Sequence, residues 1–230
     1  MARETQRNEE GNRRRMIYII MCGGKYRAWE TPRHLVRIRG EPLVARTIRL
    51  LREAGVEDIA ISSDNPVFEQ FGVPVLKHDN DYDATSYNNF TGYWSSAFCP
   101  TGEPTCYIFG DVVFSPEAIK TIVDYETDDV MFFGSKVPYA PEYPKRHQEP
   151  FAFKVANMER FFDAIEEHKR MTDSGKRWRK PIAWELWFIL CGHPDEDLRS
   201  EVNNSYVGIY DYTCDIDYPD DIRLFDEVII

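Results

Sequence analysis

Three groups of residues in this 230-residue chain have the types and spacing to do chemistry on phosphates. The first is Cys22-Gly23-Gly24-Lys25-Tyr26-Arg27 with Pro32-Arg33 just beyond. Paired glycines let backbone N–H groups approach a phosphate, and Lys25, Arg27 and Arg33 can neutralise it. The run lacks the Gly-x-x-x-x-Gly-Lys-Ser/Thr of a P-loop, and a glycine turn with solvated basic side chains accounts for it equally well. The second group is Gly110-Asp111 at the end of an apolar run, where a hard carboxylate could hold Mg²⁺. Taken alone, such an Asp is more ordinarily a turn residue. The third is Asp215-Ile216-Asp217. Alternation along an extended segment puts both carboxylates on one side, where they repel unless a cation or basic group stands between them.

The elements that must position these groups follow from the apolar pattern. Ile17 to Met21 is a continuous apolar stretch, as in a strand buried on both faces. Pro42 opens a helix through Ala54, with Val44, Ile48 and Leu51 on one face, Arg46, Arg49 and Arg52 on another, and Gly55 closing it. Strands are expected at Ile59–Ser62, Val73–Lys77, Thr105–Phe109, Val130–Gly134, Phe151–Val155 and Ser205–Tyr210, followed by an extended Cys214–Asp217. Helices are expected at Asn89–Phe98, after the Ser115-Pro116-Glu117 start, at Met158–His168 and from Pro219; Trp184–Leu190 reads as helix or strand. Residues 138–150 hold four of the fourteen prolines with Tyr139, Tyr143 and His147, and read as a long covering loop. The alternation predicts an α/β fold, a mostly parallel sheet flanked by helices, in which ligands bind at the carboxyl ends of the strands. All three groups lie immediately after expected strands.

Composition narrows the function. A hydrophobic fraction of 43% supports one sizeable core, and a net charge of −11 argues against a nucleic-acid surface. No window is apolar enough for a membrane span. The five cysteines include no C-x-x-C pair and are expected to be reduced thiols in a cytoplasmic protein. Cys22 reads as a buried small hydrophobe, and the five histidines are too scattered to form a metal cluster. Residues 1–15 read as a flexible N-terminal tail and 16–230 as a single domain, with insertions around 138–150 and 169–181.

In this order and spacing, the three groups resemble the sugar-phosphate-type nucleotidyltransferases (the NTP transferase family) over nearly all of Met16 to Ile230. Ile19 to Gly24 is similar to that family's opening strand and glycine loop, and Arg27 to its loop arginine. Pro32-Arg33 resembles its Pro-Lys pair, and Ile38-Arg39-Gly40-Glu41-Pro42-Leu43-Val44 its "I-x-G-x-P-L-I" segment. Gly110-Asp111-Val112-Val113-Phe114 resembles the central metal-binding segment, and Cys214 to Asp221 the closing "x-I-D-x-x-x-D". Tyr87-Asn88-Asn89, with Tyr93 and Ser95-Ser96, resembles the branch containing bacterial phosphocholine cytidylyltransferases.

The resemblance implies a nucleotide-diphospho-sugar transferase (GT-A-like) fold, Rossmann-like with a mixed sheet. It implies Mg²⁺-dependent attack by an acceptor phosphate on the α-phosphorus of an NTP, CTP being the first expectation, with release of pyrophosphate. Asp111 and Asp217 would hold the metal, and Arg27 and Arg33 would attract the leaving phosphates. Cys22, Gly23, Gly24 and Lys25 would line the phosphates, and Asn88 and Asn89 the base or ribose, although the two asparagines serve equally well as a helix cap. Arg33 stands where the family has lysine, and a planar fork does not reproduce an ammonium. The acceptor would be a phosphorylated small molecule, a sugar phosphate or phosphocholine. Lys169 to Lys180, with six cations, could form an anion-attracting lid. Tyr139, Tyr143, Trp178, Trp184 and Trp187 around Glu185 could cage a quaternary ammonium, although core packing is the commoner use of such rings. Homodimerisation is left open. Two alternatives stand beside this reading: a nucleotide-sugar-dependent glycosyltransferase, whose Asp-x-Asp would be expected after the central strand, and a nucleotide-binding regulatory protein that has lost turnover.

Overall fold

A computed structural model describes residues 15–26, 29–78, 80–86, 89–139, 141, 144–145, 147–175, 182–193 and 204–225. The chain opens with β1 (Ile17–Met21), β2 (Lys25–Tyr26), β3 (Arg37–Ile38), β4 (Glu41–Pro42) and helix α1 (Leu43–Glu53). There follow β5 (Ile59–Ser62), β6 (Val75–Leu76), β7 (Asp83–Ser86), β8 (Asn89–Thr91), β9 (Thr105–Phe109), β10 (Val112–Val113) and α2 (Pro116–Asp124). The remainder comprises β11 (Val130–Ser135), β12 (Glu149–Val155), α3 (Met158–Asp173), α4 (Ala183–Leu190), β13 (Tyr206–Gly208) and β14 (Cys214–Asp215).

The main sheet runs β13-β11-β12-β9-β1-β5-β6. Its pairings are parallel except that β12 is antiparallel to both neighbours, so the sheet is mixed and mostly parallel. β1 and β9 sit at its centre because they are apolar on both faces, and every residue of β9 is buried. Helices cover the two faces, and one continuous core joins them. Phe132 stacks on Phe153 at 4.6 Å, and Phe98 meets Tyr107, Phe153 and Phe161 edge-on. The Ser115 hydroxyl caps α2 by accepting from Ala118 N at 2.8 Å, with Pro116 in the first turn, an arrangement worth about 1 kcal/mol.

Four sequence expectations are revised. Residues 89–98 are not a helix. β8 pairs antiparallel with β7, and Gly92 then turns in the left-handed region at φ +71° before a short 3₁₀ turn over Trp94–Ala97. A Cβ on Gly92 would lie 2.3 Å from the Asp81 carbonyl oxygen, so the chain passes too close to Asp81 there for any other residue. The segment from Pro219 to Phe225 is 3₁₀ rather than α-helix. Arg46, expected with Arg49 and Arg52 on a face apart from the apolar one, is buried and donates to the Phe114 carbonyl at 3.1 Å, clamping α1 to the strand edge where β10 ends. Arg15, expected in the loose tail, forms an ion pair with Asp58. The rest of that tail lies outside the described residues. No helix among the described residues is long and apolar enough to cross a membrane.

Candidate active site

The carboxyl ends of β1 and β9 lie side by side, and the site is built on that junction. Gly110 N donates to Met21 O at 3.1 Å, and a Cβ on Gly110 would stand 2.4 Å from that same oxygen and 2.9 Å from both Cys22 Sγ and His34 Cδ2. Only glycine permits β9 to turn there. The turn delivers Asp111 to the edge, and β10 then pairs antiparallel with β14, Val112 opposite Asp215. Ile216 N donates to Asp111 O at 2.9 Å, so residues about a hundred positions apart in sequence become backbone neighbours. Ile216 is fully buried, and the flanking carboxylates of Asp215 and Asp217 both reach one ammonium, as alternation along an extended segment requires.

Two basic side chains grip these acids. Arg33 pairs with the Asp111 carboxylate through Nη2, and its Nη1 lies 3.3 Å from Asp217 Oδ1 and 3.2 Å from Ile216 O. On the other side, Lys145 Nζ lies 2.6 Å from Asp215 Oδ1, 3.2 Å from Asp217 Oδ2, and 3.6 Å from both Asp221 Oδ2 and Glu149 Oε1. Asp217 is shared, one oxygen to each cation. Its backbone is fixed as well: Trp29 Nε1 donates to its carbonyl at 2.8 Å, and its N–H donates to Asp221 Oδ2 at 2.8 Å. His147 Nδ1 lies 2.6 Å from Glu149 Oε1.

The electrostatics follow from burial. Burial pushes the Asp215 carboxyl well above the usual range, nearby Glu149 and Asp217 push it further, and Lys145 opposes them. Burial alone would lower the Lys145 ammonium, but Asp215, Glu149 and Asp217 outweigh it and hold the group charged. The bond to Glu149 raises His147. His34, beneath Asp111, is lowered to about 4, chiefly by burial, and its Nδ1 has no hydrogen-bond partner among the described residues. It is a neutral core imidazole, and the histidines form no metal set among the described residues.

One oxygen from each of Glu149, Asp215 and Asp217 lies within 4.8 Å of the others. Three hard oxygens this close together, with the Lys145 ammonium as a common partner, are a donor set of the kind a hard divalent cation takes. Asp111 and Asp217 come together, yet Arg33 rather than another carboxylate lies between them. Neither Lys145 nor Glu149 is singled out from the sequence, and Asp221 enters only as the last aspartate of the closing segment. The one signal was an i, i+4 Lys–Glu pair inside the proline-rich stretch at the start of β12.

The remaining expected residues are placed unevenly. Cys22 is buried, and burial raises its thiol, with Asp111 adding to the effect. A Cβ on Gly23 would stand 3.1 Å from Asn80 Nδ2, and Gly24 adopts φ +90°. The glycine turn continues into β2, which pairs parallel with β7. Asn89 lies on β8, not at a helix start. Arg27, Asn88, Tyr87, Tyr143 and Trp178 lie outside the described residues, as do the side chains of Lys25 and Asn89. Trp184 and Trp187 do not line a ligand cage. Both are core, and the Lys136 ammonium of the chain itself sits 4.6 Å from the Tyr206 ring and 5.5 Å from that of Trp187. Glu185 reaches back to accept from Ile182 N at 3.1 Å at the start of α4. In the basic run, Lys169 and Arg170 pair with Glu166 and Glu167 on α3, and 176–180 lie outside the described residues.

A mixed sheet with a glycine turn and paired aspartates at its carboxyl edge defines an α/β protein of the nucleotide-handling kind. Solved structures agree on the fold. The chain is similar to a protein described as a glucose-1-phosphate thymidylyltransferase of Bacillus anthracis, with TM-score 0.53 and 14% identity over 94% of this chain and 97% of that one. It is similar to a protein of Mycobacterium tuberculosis H37Rv at TM-score 0.53 and 14% identity, over 94% and 98%. It also resembles a CMP:2-keto-3-deoxy-manno-octonic acid synthetase complexed with CTP, at TM-score 0.54 and 13% identity, over 91% and 95%. No curated protein matches the sequence. The sequence profile of the MobA-like NTP transferase domain matches residues 18–183, and the chain belongs to that family. It is a nucleotidyltransferase.

Proposed function

We propose that this protein joins the nucleotidyl group of an NTP, CTP by first preference, to the phosphate of a small phosphorylated acceptor in a Mg²⁺-dependent reaction in the cytoplasm. The observation that carries the reading is Arg33 standing between Asp111 and Asp217 at the carboxyl edge of the two central strands. An acceptor oxygen attacks the α-phosphorus, the bond to the β-phosphate bridge breaks, and pyrophosphate leaves with the electron pair. Such a transfer needs alignment and charge neutralisation, and no covalent nucleophile. Asp111 and Asp217, with Glu149 and Asp215 close by, are the residues that would hold Mg²⁺, which polarises phosphoryl oxygens when bound. Arg33 brings a permanent charge and a planar fork suited to phosphate, and with Arg27 and Lys25 it would face the leaving phosphates. Gly23 and Gly24 keep the backbone low enough for the phosphates to approach, and Asn88 and Asn89 would meet the base or ribose. A CTP complex among proteins of this fold supports the choice of base. The acceptor class, sugar phosphate or phosphocholine, rests on the resemblance of the sequence alone.

Pyrophosphate release tests the reading. CTP, UTP, GTP, ATP and dTTP are assayed with a panel of sugar phosphates and phosphocholine, with and without Mg²⁺. Release confined to one nucleotide and dependent on Mg²⁺ is expected. Its absence with every pair, together with Mg²⁺-independent nucleotide binding, would favour a retired nucleotide-binding protein, in which Arg33 keeps the two aspartates permanently occupied. Arg33→Lys separates the two as well, since it should keep or raise the rate if Arg33 holds the family's lysine position.

A further inference from the structure

The Lys145 ammonium stands where a cation bound by Glu149, Asp215 and Asp217 would stand. These are the three carboxylates whose oxygens converge, and all three are partners of that one group. The Lys145 side chain is 8% exposed and those of Glu149 and Asp215 are 9% and 11% exposed, so water does little to screen them. Buried carboxylates at this spacing stay ionised only beside a positive charge. The fold supplies its own. Glu149 is fixed in β12 opposite Ser135, whose hydroxyl accepts from Glu149 N at 3.3 Å, and Asp215 is fixed in β14 opposite Val112. Lys145 belongs to neither strand. It lies in the connection between β11 and β12, so it can leave the cluster without unpairing a strand.

We infer that Lys145 is a built-in counter-cation that a divalent metal must displace, and that the displaced ammonium is received by a phosphate of the incoming substrate, so that metal and nucleotide bind cooperatively. This rests on the nucleotidyltransferase reading of the site. Lys145 lies against the facing oxygens of Asp215 and Asp217 at 2.6 and 3.2 Å, and His147 Nδ1 lies 2.6 Å from Glu149 Oε1, so metal alone meets an occupied cluster. A metal arriving with a nucleotide brings the anion that Lys145 needs once it is released. Lys145 is a positioning residue, distinct from Arg33, whose contact with Asp217 is to the other oxygen.

The test is Mn²⁺ binding followed by electron paramagnetic resonance, on the whole chain without nucleotide and then with a non-hydrolysable CTP analogue. Lys145→Met should bind Mn²⁺ alone about tenfold tighter than wild type or more, because the competing charge is gone. Its gain in Mn²⁺ affinity on adding the analogue should be smaller than that of wild type by a similar factor. Lys145→Arg keeps the charge and should bind Mn²⁺ alone within about threefold of wild type. Equal or weaker Mn²⁺ binding by Lys145→Met overturns the inference. Should Lys145→Met fail to fold, Lys145→Gln takes its place: tighter binding of Mn²⁺ alone than wild type with a smaller gain on adding the analogue supports the inference, and Mn²⁺ binding and gain equal to wild type overturn it. The function is judged separately. Cooperative Mn²⁺ binding without pyrophosphate release would sink the proposed reaction and leave the role of Lys145 standing, whereas release without cooperativity would sink only the latter.

Discussion

The Arg33 half and the Lys145 half of the site use the same device, a basic side chain on paired carboxylates, but they are built differently. Asp111 and Asp217 follow closely on β9 and β14, Arg33 opens a 3₁₀ turn between β2 and β3, and their side chains are 17–30% exposed. Lys145, Glu149 and Asp215 are at most 11% exposed. A charge pair still reached by water can exchange partners at small cost, whereas a buried one leaves uncompensated charge behind when one member goes. The exposed half is therefore suited to meet substrate, and the buried half to set when a cation is admitted.

Asp217 belongs to both halves, which makes it the sharpest point at which to break the comparison. Asp217→Asn should lower turnover by at least about a thousandfold, since it removes one partner of Arg33 and one of Lys145 together. Asp111→Asn should also abolish Mg²⁺-dependent turnover, with little loss of stability, because the residue sits at the edge and not in the core. The two variants are to be compared by pyrophosphate release and by Mn²⁺ affinity. A larger loss of metal affinity in Asp217→Asn is expected. Wild-type-like turnover in Asp111→Asn would remove that residue from the metal assignment.

A pH measurement separates the halves next. His34 lies beneath Asp111 on the Arg33 side, with its folded pKa lowered to about 4 by burial, Asp111 opposing and Arg33 assisting. Below the ordinary histidine pKa near 6.5 the unfolded chain binds a proton that the folded chain refuses, so stability falls as pH drops from about 6.5 towards 4 and is fully present above that window. The contribution is about 3 kcal/mol at its largest. His34→Met, apolar and of similar length, should show a shallower loss of urea stability between pH 7 and pH 4.5 than wild type, all other groups being common to both. An identical slope would mean that His34 takes up its proton as readily in the folded protein as in the unfolded chain.

The same contrast explains what could be read from the sequence. Strands buried on both faces announce themselves as apolar runs, and Thr105–Phe109 falls where its pattern puts it. Asp111, which follows such a run, is legible as an edge residue, and the alternation of Asp215-Ile216-Asp217 is legible as two carboxylates on one side. The stretch 89–98 misled because its apolar spacing suits a helix, while the close approach of Gly92 to Asp81 is a tertiary fact. Lys145 and Glu149 flank the end of a proline-rich connection, and only the pairing of β11 with β12 and of β10 with β14 brings them to Asp215. Trp184 and Trp187 had the composition of a ligand cage, but packing buries both in the core and sets Lys136 over the Trp187 ring.

The smallest effect is expected at Asp221, and it tests whether the shared carboxylate is held by charge or by a turn. Asp221 Oδ2 accepts from Asp217 N at 2.8 Å and from Tyr218 N at 3.0 Å, closer than its 3.6 Å approach to Lys145. An asparagine oxygen can keep both backbone bonds while the charge is removed. Asp221→Asn should therefore hold turnover within about threefold of wild type. Asp221→Ala loses both acceptor bonds and should cost about 1 kcal/mol in thermal stability, with turnover down by about tenfold as the Asp217 backbone loosens. If the asparagine variant falls as far as the alanine one, the charge facing Lys145 decides the geometry of Asp217, and the buried half governs the exposed half directly. A gap between the two variants means that the turn fixes Asp217 first, and that both cations bind to a carboxylate already in place.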